Sequence, residues 1–330
     1  MGFSRDKLRQ AMDVLKEHPG WSKPGNIYTD LAREAREINP DIAGVTEQEE
    51  NIEDASISRI EVQTVDAAQK LGKPMGRYVT IEAPSLAQRD TAVFKKVAET
   101  LSEELARLLP EGGVEMGILV VGLGNRFITP DALGPRVVEK TFVTRHITQH
   151  LPDIIGEPMR PVAAIAPGVL GTTGVETLEM LRGLVERVKP AAVIAVDALA
   201  SRRAGRISTT IQLTDTGIQP GSGVGNDGRL GLTQESLGVP VIAIGVPTVV
   251  LASTISQDTI SMIADKTGLH ADEEKLRRLA EKVISEHFGP MIVTPKEIDT
   301  IVSDMAGILS DAVNLALHRP YFEQVKELLA

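Results

Sequence analysis

The stretch Met116-Gly117-Ile118-Leu119-Val120-Val121-Gly122-Leu123-Gly124-Asn125 decides the fold class. Its uninterrupted apolar run, 116–121, ends in glycine, as expected of a parallel strand covered by helices on both faces. Downstream, the spacing predicts a helix over 137–150, a strand over 162–165, a helix over 174–188 and a second buried strand over 191–196. A more polar strand follows at 208–213, and another buried one at 241–244, ended by a turn. Strand alternating with helix predicts an α/β protein: a mostly parallel sheet with helices on both faces.

Upstream, Val93, Val97, Leu101, Leu105 and Leu108 recur at three- and four-residue intervals and predict a helix over 90–109. The segments 57–65 and 78–82 alternate, as in the strands of a smaller peripheral sheet. The acidic segment 39–54 lacks a period and is expected to be an exposed loop. Residues 4–18 read as a helix with Leu8, Met12 and Leu15 on one face, joined to the rest by the Pro/Gly-rich stretch 18–25. C-terminal helices are expected at about 273–286, 296–317 and 320–329.

The 330 residues include 45 acidic and 35 basic side chains, for a formal charge of -10, and no cysteine. Disulfides, thiolate nucleophiles and cysteine-ligated metal centres are therefore excluded. The acidic balance argues against a protein that coats DNA or RNA, since phosphate binding needs basic surface. The N-terminus carries charge throughout and has no apolar stretch of the secretory kind. Residues 237–257 are uncharged, but Gly238, Pro240, Gly245 and Pro247 interrupt them, so a spanning helix is not expected. The chain reads as cytoplasmic, with no membrane partner.

In such sheets, catalytic groups gather beyond the carboxyl ends of the strands. Two acids meet that condition. Asp131 follows the Gly122-Leu123-Gly124-Asn125 turn, and Asp197 stands directly at the end of 191–196. A carboxylate after a buried apolar strand is costly unless solvated or partnered. The bland readings are a helix N-cap for Asp131 and a loop-capping acid for Asp197. Two neighbouring carboxylates can share a proton, one acting as base on water and the other as acid. Gly122, Gly124 and Asn125 are candidates for orienting a carbonyl oxygen.

Other chemistries fit less well. A dinucleotide loop needs a third glycine where Phe127 stands, and Gly221-Ser222-Gly223-Val224-Gly225-Asn226 follows Pro220 without a strand-to-helix junction. Pro220 also breaks a nucleophile elbow around Ser222. His146 and His150 are four residues apart, yet Ile147 occupies the position of a zinc protease's glutamate. No cofactor or metal site is expected.

With these residues in view, the chain resembles the germination proteases of spore-forming bacteria, endopeptidases that degrade small acid-soluble spore proteins. The likeness runs through Tyr28-Thr29-Asp30-Leu31-Ala32, Gly72-Lys73-Pro74-Met75-Gly76, Tyr78-Val79-Thr80, the 122–135 segment and Val143-Thr144-Arg145-His146. It continues through Pro167-Gly168-Val169, Asp197-Ala198-Leu199-Ala200, Thr209-Thr210-Ile211-Gln212, Asp215-Thr216-Gly217-Ile218, the runs 220–226 and 240–250, and Met291–Glu297. The resemblance implies a fold similar to that of hydrogenase maturation endopeptidases and an atypical aspartic protease whose two catalytic aspartates carry over onto Asp131 and Asp197. It also implies a homotetrameric zymogen that cuts itself near its N-terminus during spore development, in the spore cytoplasm. Small acid-soluble spore proteins are the implied substrates.

The family's cleavage motif reads Glu, Phe or Ile, Ala, Ser, Glu. Asp30-Leu31-Ala32-Arg33-Glu34 has the same order of acid, apolar residue, alanine, any residue, acid. The expected cut is therefore between Asp30 and Leu31, leaving residues 1–30 as propeptide and 31–330 as one α/β peptidase domain. Two rivals remain open: a metal-dependent maturation endopeptidase, and a non-catalytic nucleotide-binding α/β protein.

Overall fold

The computed structural model describes residues 29–150, 159–219, 231–267 and 291–324, with residues 283, 284 and 287. In chain order its elements begin with helix α1 (Ala32–Ile38), the hairpin β1 (Val45–Ile52) and β2 (Ala55–Val62), helix α2 (Val65–Leu71) and β3 (Gly76–Glu82). Then come α3 (Thr91–Leu108), β4 (Ile118–Gly122), α4 (Leu133–Lys140), α5 (Arg145–His150), β5 (Val162–Ile165), α6 (Leu170–Thr173) and α7 (Thr177–Val188). The remainder is β6 (Ala192–Ser201), β7 (Thr210–Thr214), α8 (Gln234–Leu237), β8 (Val241–Leu251), α9 (Ala252–Thr267), β9 (Ile292–Val293) and α10 (Ile298–His318).

The nine strands among the described residues join one sheet, in the order β1-β2-β3-β7-β8-β6-β4-β5, with β9 paired to β8. The α/β class and the flanking helices are as the sequence predicts. The β8-β6-β4-β5 half is parallel, whereas β1, β2, β3, β7 and β8 pair antiparallel. The strands expected at the periphery thus continue the main sheet through the β3–β7 pairing.

Three sequence expectations change. The segment expected as an acidic loop contains β1, an edge strand whose side chains, apart from its ends, are exposed. Burial gives such a strand no apolar alternation, and its charges guard the free edge. Strand β8 does not stop at Ile244 but runs to Leu251. Pro247 sits opposite Leu199, where the β6–β8 register shifts, so its missing N–H falls at an irregularity. The single helix expected over 137–150 is two, α4 and α5, because Phe142 and Val143 lie in an irregular link. The expected features at 4–18, 18–25 and 220–226, and most of those at 273–286 and 325–329, lie outside the described residues.

The two faces of the sheet are covered differently. On the first, Ile118, Val120, Ile194, Val196, Ile242 and Ile244 pack against Val97 and Leu101 of α3, Leu133 and Val137 of α4, and Val302 and Leu309 of α10. Helix α10 with its continuation, Ile298–Gln324, is long and apolar enough to cross a membrane, but it is a core helix packed on α3 and α4.

On the second face, Leu119, Val121, Val193 and Ala195 pack against Leu178, Leu181 and Val185 of α7. At the far end of that face, Ile60, Val62 and Tyr78 pack against Ala32 and Ala35 of α1 and Leu71 of α2. Cross-strand partners share a face. The row Ala195–Ala243–Thr214–Tyr78–Ile60 therefore joins the two patches. The next row is Asp197–Gly245–Gln212–Thr80–Ser58, a polar band where an apolar core would otherwise continue.

Candidate active site

Asp197 lies within β6 rather than just beyond it, because that strand continues to Ser201. Its side chain is 5% exposed, and its Oδ1 accepts the Ala198 N–H at 2.8 Å. Burial, then the charge of Asp131, then that of Asp30, push its carboxyl well above the usual carboxylate range, against the Ala198 hydrogen bond. The three acids are thus electrostatic neighbours, and protonation of Asp197 relieves the repulsion.

Asp131 arrives by a tight route. The loop after β4 closes on it through the Asn125 N–H, which donates to Asp131 Oδ2 at 2.7 Å, while Leu123 N–H donates to Val196 O at 2.8 Å. Gly124 has φ +104°, and a Cβ there would stand 2.1 Å from Asp131 O. A Cβ on Gly122 would meet Gly134 O at the same distance, 2.1 Å. Both glycines are therefore close-approach positions that seat the start of α4 and Asp131 beside β6. Burial raises the Asp131 carboxyl and the Asn125 N–H opposes it. Asp131, half-buried, is the more readily ionised of the pair.

Of the expected carbonyl-orienting groups, the Asn125 N–H points to Asp131, and Asn125 Oδ1 accepts the Phe127 N–H at 3.0 Å. The Asn125 backbone N–H thus supports the carboxylate. His146 and His150 are exposed on α5, and among the described residues no three His, Asp or Glu side chains converge as a metal-binding group.

The Asp30–Leu31 bond lies on the same face, against the polar band. Asp30 pairs with the end of β6: its N–H donates to Ala200 O at 3.1 Å, and Ala200 N–H donates to its Oδ2 at 2.8 Å. Its carbonyl oxygen accepts from Lys73 Nζ at 2.9 Å and Gln212 Nε2 at 3.1 Å. Lys73 Nζ also donates to Thr29 O at 2.8 Å. Gln212 Oε1 accepts the Ala32 N–H at 2.6 Å, and Leu31 N–H donates to Thr29 Oγ1 at 3.1 Å. Leu31 is fully buried. Gly245 leaves the floor between Asp197 and Gln212 without a side chain, and Leu199 leans over it.

Charge fixes the chain immediately after this bond. Glu34, 1% exposed, accepts the Arg202 and Arg203 N–H groups at 2.7 and 3.0 Å and the Thr29 hydroxyl. Arg206 meets Glu34 at 3.2 Å, Glu37 at 2.5 Å and Glu82 at 2.5 Å. An arginine fork can satisfy several carboxylates at once, which suits a buried network.

Two acids split by environment, and a backbone segment bonded to the end of the strand that bears one of them, can serve peptide-bond chemistry. Comparison with known proteins agrees. The family described as germination protease matches residues 25–280. The chain belongs to the germination protease family. It is 48% identical to the germination protease of Caldanaerobacter subterraneus subsp. tengcongensis, over 88% of this chain and 94% of that one. Identity is 43% to the germination protease of Clostridium perfringens (88% and 95%) and 40% to that of Bacillus cereus (89% and 94%). Membership makes the chain a peptidase of spore germination.

Sequence reasoning singled out Asp30, Asp131 and Asp197 and missed Lys73, Gln212 and the Glu34–Arg206 network. Lys73 and Gln212 both stand within segments that carry the germination protease resemblance, so the signal marked the segments without giving either residue a task.

Proposed function

We propose that this germination protease is made as a zymogen, with residues 1–30 as propeptide and 31–330 as the peptidase domain, and that it cuts its own Asp30–Leu31 bond. Once cut, it initiates degradation of small acid-soluble spore proteins in the spore cytoplasm, as a homotetramer and without a cofactor. The observation that carries this reading is the Asp30–Leu31 bond itself, its carbonyl oxygen held by Lys73 and Gln212 on the face that bears Asp197. Asp30 is near enough to raise the Asp197 pKa.

Asp131, the more acidic of the pair, serves as general base and Asp197, held protonated, as general acid. Water adds to the carbonyl carbon of Asp30 while its proton passes to Asp131. The C–N bond then breaks as Asp197 gives its proton to the Leu31 nitrogen. The products are an Asp30 carboxylic acid and a Leu31 amine, and the pair ends with one proton, as it began. Before the cut, residues 29–31 occupy the ground a substrate strand needs, which accounts for latency.

The test is mild acid incubation of the full chain followed by N-terminal sequencing. The expected result is a new terminus at Leu31, absent in Asp197→Asn and Asp131→Asn. Folded variants that both cut at the parental rate would overturn the pair's role.

A further inference from the structure

A half-buried cation that the acid pair does not use reaches residues 29 and 30 beside the polar band. Lys73 follows the left-handed cap Gly72 (φ 69°) at the end of α2, which turns the chain so that its side chain reaches across to residues 29 and 30. The side chain is half-buried, and burial pulls its pKa below the usual lysine value, against the charges of Asp30 and Glu34. Taking an ammonium out of water is costly. It donates to two carbonyl oxygens, those of Thr29 and Asp30.

Gln212 complements it. Its carboxamide donates to Asp30 O and accepts from Ala32 N, so it grips the backbone on both sides of Leu31 as a neighbouring strand would. Those two partners also fix which end of the amide is oxygen.

We propose that Lys73 and Gln212 form the oxyanion site of this enzyme, with Lys73 the catalytic residue that stabilises the charge developing on the carbonyl oxygen of the cut bond. This rests on the reading that Asp30–Leu31 is the bond cut. When water adds to the Asp30 carbonyl carbon, the oxygen gains negative charge between a cation and an amide N–H already directed at it. A poorly hydrated ammonium interacts more strongly with that charge than a hydrated one. The Asn125 N–H does not compete for the task, because it is engaged by Asp131. A substrate strand taking the place of residues 29–32 would present its own carbonyl to the same two donors.

The experiment compares the full chain with Lys73→Met, Lys73→Arg and Gln212→Ala, following formation of the Leu31 terminus by mass spectrometry. Amide exchange at Leu31 and Ala32 reports whether the segment stays seated. Loss of an oxyanion donor costs about 100- to 1,000-fold in rate. The expected result is that order of loss in Lys73→Met with protection retained, partial recovery in Lys73→Arg, and a smaller loss in Gln212→Ala, which serves if Lys73→Met does not fold. Cutting within threefold of the parent in these variants overturns the proposal and leaves self-cleavage standing. Rate loss in Lys73→Met that comes together with lost protection also overturns it, since Lys73 then only seats the segment. A parent chain that never gains a Leu31 terminus removes both readings.

Discussion

The two faces of the sheet are built to opposite rules. The first is apolar from β4 through β8 and is closed by α3, α4 and α10. The second is apolar at its two ends, under α7 and under α1 and α2, but carries Asp197, Gly245, Gln212 and Thr80 between them. The difference assigns the work. One face holds the fold together, and the other accepts the cost of buried polar groups because a peptide backbone lies there to use them. Substitutions on the first face should therefore move stability, and those on the second should move activity first.

The largest effect is expected at Asp197. Asp197→Asn should lower endopeptidase activity roughly 100- to 10,000-fold, the range for loss of a general acid or base. Its stability should move the other way. The folded carboxyl titrates above its unfolded value, so as pH rises from about 4 the unfolded chain releases its proton first and the fold loses stability through the folded pKa. Asparagine has no such loss. The variant should match the parent near pH 4 and melt higher at pH 7, which thermal unfolding at the two pH values checks.

The first face answers with Leu101→Ala. Leu101 is fully buried at the centre of α3, and truncation should cost about 2–5 kcal/mol of unfolding free energy. Denaturant titration measures that, and specific activity of the folded fraction should stay within twofold. A variant that loses activity while keeping its stability would break the division between the faces.

His318, at the end of α10, tests the apolar face by pH. Its ring stacks edge-on against Phe142 with centroids 5.5 Å apart. Burial pushes its pKa down to about 4. The unfolded imidazole takes up its proton near pH 6.5, while the folded one does so only near 4, so stability falls as pH drops through that window. The loss amounts to about 3 kcal/mol. His318→Leu should be level with or below the parent at pH 7 and above it at pH 4.5. Urea midpoints at the two values decide the matter.

The same contrast explains what the sequence made legible. Residues 116–121 and 191–196 announce buried strands because both of their faces are apolar, a pattern that needs no partner to be read. Asp131 and Asp197 stood out for the same local reason. Strand β1 was illegible, because an exposed edge strand bearing Glu47, Glu49 and Glu50 has no apolar face to announce it. Lys73 and Gln212 were illegible for a tertiary reason. They acquire meaning only once the β3–β7 pairing brings residues 73 and 212 to residue 30, across gaps of 43 and 182 positions. Chemistry assembled from such distant segments leaves no spacing to read.

The smallest expected stability change is the sharpest probe of the second face. Gly245 lies between Asp197 and Gln212, and a Cβ there would stand 2.5 Å from Leu199 Cδ1 and Cγ. Its backbone angles are not of the left-handed kind, so alanine meets crowding rather than strain. Leu199 must turn aside, for a cost of about 1–3 kcal/mol. Leu199 shares this face with Asp197 and Gln212, so its displacement disturbs the space beside them. Gly245→Ala should therefore raise KM for a protein substrate several-fold more than it lowers kcat, with modest change in melting temperature. If kcat falls instead and KM holds, the floor positions the acid pair rather than admitting the substrate strand, and the polar band is a support for Asp197 instead of a track for backbone.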